Sequence, residues 1–291
     1  MRSHFRFDKL TRAYLVAEIG INHNGDVDIA KKLIDFACVS EWDCVKFQKR
    51  NPDKCVPEDQ KSVMRDTPWG RMTYLQYRKT IEFDAGQYNS LWTHCWGRID
   101  AAASVWDEDS VDFMLQLDIP FIKTPSAHLT NDDLIRYICR KNVPVLMSTG
   151  MSTQDEVDHA VELLHRHSDN FAILHCNSSY PAKENELNLR AIQSFIERYD
   201  CVVGYSGHEF GLTPTIAAVA LGAKIIERHV TLERTMWGTD QMASVEPHGM
   251  LKLARHIRSL ESALGDGVKR LYDSELPIRH KLRGTLESVT A

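Results

Sequence analysis

Short apolar, β-branched runs alternate along this chain with stretches whose apolar residues recur at helical spacing. The strand-like runs are 14–19, 44–48, 99–106, 120–123, 143–148, 171–176, 201–205 and 224–230. Helical candidates fall between them, at 27–39, 84–96, 108–117, 131–139, 153–165, 188–199, 213–221 and 247–264. Eight strand–helix pairs, most of them about 25–35 residues apart, predict an α/β chain folded as a (β/α)8 TIM barrel. Thr130-Asn131-Asp132-Asp133 and Ser152-Thr153-Gln154-Asp155-Glu156 carry N-cap and first-turn acid signals at the right places. The rival is a doubly wound open sheet, which has fewer strands and a Gly-rich first turn. No Gly-x-Gly-x-x-Gly follows a strand here and no Walker A sequence occurs, so the barrel is preferred.

Segments 49–73 and 235–246 exceed an ordinary connection, and both follow strands. They are expected on the face where barrel active sites form, as lids or substrate walls. Trp69, Tyr74 and Tyr77 read equally well as sugar-site lining or as lid packing. With no linker, low-complexity tract or repeat beyond the alternation, the chain reads as a single domain over 1–291.

Composition narrows the function. Lys plus Arg number 35 against 40 Asp plus Glu, a net charge of −5, which argues against binding a phosphate backbone. It leaves room for a small basic pocket inside an acidic shell. There is no run of about 18 apolar residues and no apolar leader at the N-terminus, so neither a membrane span nor a signal peptide is expected. The seven cysteines are odd in number and irregularly spaced, without a Cys-x-x-Cys pair. That fits reduced thiols in the cytoplasm rather than a disulfide framework or a zinc ribbon.

In a barrel the C-terminal strand ends face one shared pocket. Here they carry Glu18; Lys46 and Gln48; Ser104; Lys123 and Ser126; Ser148; His175 and Asn177; Ser206 and His208; Glu227 and His229. Apolar runs ending repeatedly in Lys, Ser, Glu and His are poorly explained by core packing, because buried charge is costly unless paired or liganded. Two lysines among hydroxyls suggest a site for a phosphate, a carboxylate, or both. The competing reading pairs each lysine with a strand-end acid such as Glu18 or Glu227. His208 and His229 end consecutive strands, where two imidazoles can come within metal-ligand reach. His23, between Asn22 and Asn24, is a candidate for ordering the first loop or for supporting the site. The Asn177-Ser178-Ser179 sequon and Ser148-Thr149-Gly150 lack the context of a glycosylation site or a nucleophile elbow.

Six motifs in order resemble the sialic acid synthase family, the phosphoenolpyruvate-condensing synthases of nine-carbon acidic sugars. They are Ala17-Glu18-Ile19-Gly20-Ile21-Asn22-His23-Asn24-Gly25, Val45-Lys46-Phe47-Gln48, Ser148-Thr149-Gly150-Met151, Leu174-His175-Cys176-Asn177-Ser178-Ser179-Tyr180-Pro181, Gly204-Tyr205-Ser206-Gly207-His208 and Ile226-Glu227-Arg228-His229-Val230-Thr231-Leu232. The resemblance runs from about residue 14 to about residue 267. It implies condensation of phosphoenolpyruvate with the open-chain aldehyde of an N-acylhexosamine, with carbon–oxygen cleavage releasing phosphate. By the same resemblance His208 and His229 hold a divalent metal, Mn²⁺ or Mg²⁺, acting as a Lewis acid on the aldehyde. Lys46, Lys123, Ser126, Ser148 and Ser206 match positions that hold phosphoenolpyruvate, and Ser104 stands where the family usually has Thr. Glu18 matches the carboxylate that handles protons. Gln48, Tyr180 and Asp240 match sugar-side positions.

Three departures bear on the acceptor. His128 stands where the family commonly has Glu, and Ser178 where it has Asn. The chain stops at Ala291, whereas typical members carry a C-terminal antifreeze-like domain that supplies an arginine to the partner's sugar site. The expectation is a sugar site that is more open, closed by its own loops, or completed by a homodimer mate or a separate partner. Two rivals remain: a same-fold synthase with another acceptor, including a phosphorylated sugar, and a non-catalytic metabolite-binding barrel subunit.

Overall fold

The computed structural model describes residues 5–283; positions 1–4 and 284–291 of the 1–291 span lie outside it. Eight parallel strands close into a barrel: β1 (Tyr14–Gly20), β2 (Cys44–Lys49), β5 (Asp100–Val105), β6 (Ile122–Thr124), β7 (Val145–Ser148), β8 (Phe171–Cys176), β9 (Val202–Gly207) and β10 (Ile225–His229). The missing numbers, β3 (Met64–Thr67) and β4 (Gly70–Thr73), form a separate hairpin. Around the barrel run α1 (Val27–Val39), α5 (Ala85–Cys95), α6 (Glu108–Met114), α7 (Asp132–Cys139), α8 (Gln154–His167), α9 (Ala191–Arg198), α10 (Thr213–Ala220) and α11 (Pro247–Leu264). Each predicted strand and helix is present, with ends shifted by a few residues, and the fold is a (β/α)8 TIM barrel.

Local chemistry explains the helix starts. The Thr153 hydroxyl and the Glu156 carboxylate form a reciprocal capping box at α8, and Asn131 Oδ1 accepts from Leu134 N at 3.1 Å to cap α7. No helix among the described residues is long and apolar enough to cross a membrane, and all seven cysteines are free.

Strand alternation sorts the side chains. Leu15, Ala17, Ile19, Val45, Phe47, Ala101, Ala103, Ile173 and Ile226 point outward into the layer shared with the helices. The intervening positions point into the barrel, and their polarity changes with height. Low in the interior lie Val16, Cys44, Ala102, Leu146, Ala172 and Ile225, sealed beneath by Phe7, Tyr14 and Phe121 in a cluster that Phe5 joins edge-on. The next inward positions along the same strands are Glu18, Lys46, Ser104, Ser148 and Glu227, all buried. An apolar floor under a polar ceiling is how a packed barrel interior becomes a site only at its C-terminal mouth.

Segment 49–73, expected as a long connection forming a lid or substrate wall, carries secondary structure of its own. It contains α2 (Pro52–Cys55), α3 (Glu58–Lys61) and the β3–β4 hairpin, and α4 (Tyr74–Ile81) follows directly. The hairpin strands, Met-Arg-Asp-Thr and Gly-Arg-Met-Thr, lie largely exposed, so they show no apolar alternation to read. Trp237, from segment 235–246, meets Trp69 and Tyr77 edge-on at 5.7 and 5.2 Å between ring centroids. The two long segments therefore clasp each other over one side of the mouth, and of the two aromatic readings lid packing is the one observed. Beyond α11 a further helix, α12 (Leu276–Arg283), is exposed along its length.

Candidate active site

Barrel register decides which polar side chains meet. Glu18 lies beside Lys46 on one side and His229 on the other; Gln48 pairs with Ser104, Ser104 with Lys123, and Ser206 with Glu227. The result is a cavity of about 210 Å³ at the C-terminal mouth. Its walls hold Glu18, Lys46, Gln48, Ser104, Lys123, Ser126, Ser148, Ser178, Tyr180, Ser206, His208 and His229, together with Glu227, Cys176, Trp106 and Met151. Twelve of the thirteen sequence-derived candidates thus line one cavity. The thirteenth, Asp240, stands behind it with Oδ2 3.7 Å from His229 Nδ1.

The cavity floor is an ion network. Lys46 Nζ forms a close ion pair with Glu18, donates to Ser104 Oγ at 2.8 Å and lies 3.6 Å from Glu227. Lys123 Nζ reaches both Glu227 oxygens at 3.2 and 3.3 Å, and the Ser206 hydroxyl donates to the same carboxylate. The lysines are therefore paired with strand-end acids, and they also face the cavity. Burial, reinforced by Glu227, outweighs Lys46 and raises the Glu18 carboxyl above its ordinary range. For Glu227 burial acts upward as well, but Lys123, Lys46 and His229 win and push it down to about 2. Two carboxyls in one network driven apart in this way are suited to different tasks, one to hold a proton and one to remain a counter-ion. Ser148 Oγ is buried in the wall without a hydrogen-bond partner, and the Ser126 hydroxyl accepts from Gly150 N at 3.0 Å.

The C-terminal ends of β9 and β10 bring two imidazoles together, with ring centroids 5.4 Å apart. Tyr180 lies 4.0 Å over His208 and edge-on to His229 at 5.4 Å. The Asn177 carbonyl can only accept, so its 2.5 Å contact puts a proton of His208 on Nδ1; burial acts downward on this ring, but Cys176 and the carbonyl outweigh it and raise it above its ordinary range. His229 Nδ1 is buried with no hydrogen-bond partner, and burial pushes this ring down to about 3, so it is a neutral imidazole. Two facing imidazoles, one oriented by a carbonyl and one with an orphaned nitrogen, are the donor chemistry a divalent metal takes, with loss of any proton on the binding nitrogen. Among the described residues no three His, Cys, Asp or Glu side chains cluster closely enough to hold an ion alone. A metal on this pair would need oxygen ligands from substrate and water.

Behind the histidines sits a second buried ion pair. Glu209 follows His208, Arg228 precedes His229, and both are at most 1% exposed. Arg228 Nη1 donates to Glu209 Oε1 at 3.1 Å, and Tyr205 and Thr215 donate to the same carboxylate at 2.9 and 2.7 Å.

Two strand-end candidates are corrected. His175 points outward, stacks near Phe195 and Tyr205, and donates from Nε2 to Leu187 O at 2.7 Å. Asn177 donates to the Glu186 carbonyl. The inward position is Cys176, whose thiol touches Ser126, Ser178 and His208; strict alternation back from Leu174 was the signal that places it. His23 orders its loop: it stacks on Phe83 at 4.0 Å, and its Nδ1 accepts from Gly25 N at 3.0 Å. His128 is half-buried against Trp106 rather than in the cavity wall.

Comparison with known proteins agrees with this geometry. A model of the NeuB family matches residues 33–269. The N-acetylneuraminate-9-phosphate synthase of Mus musculus is 36% identical over 275 residues, 92% of this chain and 76% of the relative. The N,N'-diacetyllegionaminic acid synthase of Campylobacter jejuni is 36% identical over 274 residues, 91% of this chain and 81% of the relative. Among solved structures, the N-acetylneuraminic acid synthetase of Leptospira borgpetersenii superposes with a TM-score of 0.82 at 29% identity, covering 94% of this chain and 93% of that one.

Proposed function

The chain belongs to the NeuB family, the sialic acid synthases, and on that premise we propose that it condenses phosphoenolpyruvate with the open-chain aldehyde of an N-acylhexosamine. The product is a nonulosonic, sialic-type acid, and the enzyme is a transferase forming a carbon–carbon bond. The observation that carries this reading is the convergence of two lysines, five serine hydroxyls, a proton-holding carboxyl and two imidazoles on one cavity.

The reaction balances with one water. The enol carbon bonds to the aldehyde carbon, the aldehyde oxygen gains a proton, and water adds at the phosphorylated carbon. The tetrahedral centre then loses inorganic phosphate by carbon–oxygen cleavage, leaving a keto acid. Lys46 and Lys123 face the carboxylate and phosphate of phosphoenolpyruvate, and Ser104, Ser126, Ser148 and Ser206 supply hydroxyl donors around them. Glu18, with its raised pKa, holds and returns the proton moved during addition and cleavage. Gln48 donates to Glu18 at 3.1 Å, linking the sugar side of the cavity to that proton. Ser178, Tyr180 and Asp240 border the space left for the sugar. His208 and His229 would hold Mn²⁺ or Mg²⁺, which when bound supplies Lewis acidity to the aldehyde oxygen. The free cysteines fit work in a reducing cytoplasm.

The test is phosphate release from phosphoenolpyruvate with Mn²⁺, across N-acetylmannosamine, its 6-phosphate, di-N-acetylated hexoses and mannose. Release should depend on one sugar and be lost in His208→Ala and Glu18→Gln. Absence of both sugar-dependent release and phosphoenolpyruvate binding would overturn the reading and favour a non-catalytic barrel.

A further inference from the structure

Across the mouth from the histidines the wall has a different character. In barrel order β5 is four strands from β9, and β6 four from β10. Trp106, just past β5, and His128, just past β6, therefore stand opposite His208 and His229. Arg50 comes off the end of β2 and lays its guanidinium over the Trp106 ring, 4.0 Å from the centroid. It also donates to Gln48 Oε1, so it is joined through Gln48 to Glu18. The His128 ring meets Trp106 edge-on at 5.3 Å. Arg78, on α4, is buried within electrostatic reach; burial and its charge push Arg50 down to about 10.

This neighbourhood holds donors that nothing among the described residues accepts. Arg50 Nε, Arg78 Nε and Nη2, and Trp106 Nε1 are buried without a hydrogen-bond partner, as is His128 Nε2. Arg50 is 8% and Arg78 5% exposed. Two like charges buried together without a counter-ion are costly, and a bound anion removes the cost. The nearby acids are committed elsewhere. Glu82 accepts from Lys49 Nζ and Arg50 N at 2.7 and 3.1 Å. Asp107 accepts from Asn51 N, the Cys55 thiol and Ser110.

We propose that Arg50 and Arg78, with Trp106 and His128, form an anion subsite that receives a phosphoryl group on the acceptor sugar, at the end away from its aldehyde. The assignment of that end rests on the reading above, in which the aldehyde lies against the histidines. Planar guanidinium forks suit phosphate oxygens, and the indole and imidazole nitrogens extend the set of donors.

The test compares kcat/KM for N-acetylmannosamine 6-phosphate and N-acetylmannosamine, with phosphoenolpyruvate and Mn²⁺. The phosphorylated sugar should be preferred at least tenfold. Arg78→Gln and Arg50→Gln should lower its kcat/KM about 10- to 100-fold, the loss of one charge-assisted hydrogen bond, and lower that of the unphosphorylated sugar far less. Equal losses on both sugars, or a loss carried by the KM for phosphoenolpyruvate, would overturn the subsite. Calorimetric titration in the presence of phosphoenolpyruvate separates this from the reaction itself. Mannose 6-phosphate should bind at least tenfold tighter than mannose, and Arg78→Gln should abolish the difference. Ester-selective binding lost in Arg78→Gln upholds the subsite even if no sugar turns over, in which case only the proposed reaction fails. Inorganic phosphate binding as tightly as the ester would assign the donors to free phosphate and overturn the proposal. Arg78→Met should leave the ligand-free thermal midpoint unchanged or raise it; a drop of several degrees would mark Arg78 as structural and count against it.

Discussion

Replacing Glu209 by Gln removes the carboxylate paired with the Arg228 guanidinium while keeping size and one acceptor. The pair is wholly buried, with Arg228 Nη1 at 3.1 Å from Glu209 Oε1, Nη1 also on Thr215 and Nη2 on the Glu209 carbonyl. Burial outweighs Glu209's attraction and depresses the Arg228 guanidinium, so the charge is already held at a cost. Taking away the counter-ion leaves that charge unmatched, a change of about 3–5 kcal/mol. At about 2–4 °C per kcal/mol for a chain of this size, the thermal midpoint should fall by roughly 6–20 °C. Gly207→Ala approaches the same network from the other side, because a Cβ there would stand 2.6 Å from Glu209 Oε2. His208 and His229 flank the pair in sequence, so phosphate release should fall in both variants at temperatures where they remain folded. Adding Arg228→Met to Glu209→Gln removes the stranded charge and should recover part of the lost stability. The assay is thermal and urea unfolding beside phosphate release at 25 °C. A midpoint within 2 °C of the parent in Glu209→Gln, or a double variant no more stable than the single, would refute the reasoning.

Three further outcomes follow from the geometry. Burial pushes His23 down to about 3 from 6.5, so the folded state refuses a proton that the unfolded chain takes below 6.5. Stability from this residue is complete above pH 6.5 and is lost as pH falls towards 3, by about 2 kcal/mol at pH 5; in urea melts His23→Asn should flatten that acid limb, and an unchanged slope would exclude it. Gly150→Ala puts a Cβ 2.9 Å from Ser126 Oγ and against Ser178 Oγ, which should raise the KM for phosphoenolpyruvate about tenfold with little change in melting temperature. Trp237→Ala opens the clasp between the two long segments and should raise the KM for the acceptor while leaving that for phosphoenolpyruvate unmoved; the reverse pattern in steady-state kinetics would place the clasp over the wrong substrate.

The barrel was legible because its strands are buried on both faces and its helices on one, so periodicity and burial agree over most of the chain. Pro247–Leu264 and Val27–Val39 appear with the predicted bounds. The lid was not legible for a physical reason. Its hairpin is exposed, and α2 and α3 are four residues each, too short to show a period. Yet α4 did carry a signal, the Thr73-x-x-Gln76 capping box that the structure forms. Missing that box also hid Arg78. His175 was misplaced because a strand-end motif was read as a unit, whereas alternation lets only every second residue of it face the cavity.

The same contrast separates the two halves of the site. Lys46, Ser104, Ser148, Ser206 and Glu227 lie within strands, where neighbouring backbones fix each Cα in register and burial removes freedom from each side chain. In the reaction proposed above such positions hold phosphoenolpyruvate, and they are legible because their polarity breaks an apolar run. Arg50, Trp106 and His128 stand one to four residues past their strand ends, where the backbone is free to vary without disturbing the ladder. Side chains there cost the fold little and change the acceptor's surroundings directly. The named relatives match over most of this chain but are synthases of different products. Arg50 shows why that second half escapes reading from sequence: beside Lys49 it looks like a solvated charge, and only the fold reveals that it is buried over Trp106 with a donor left open.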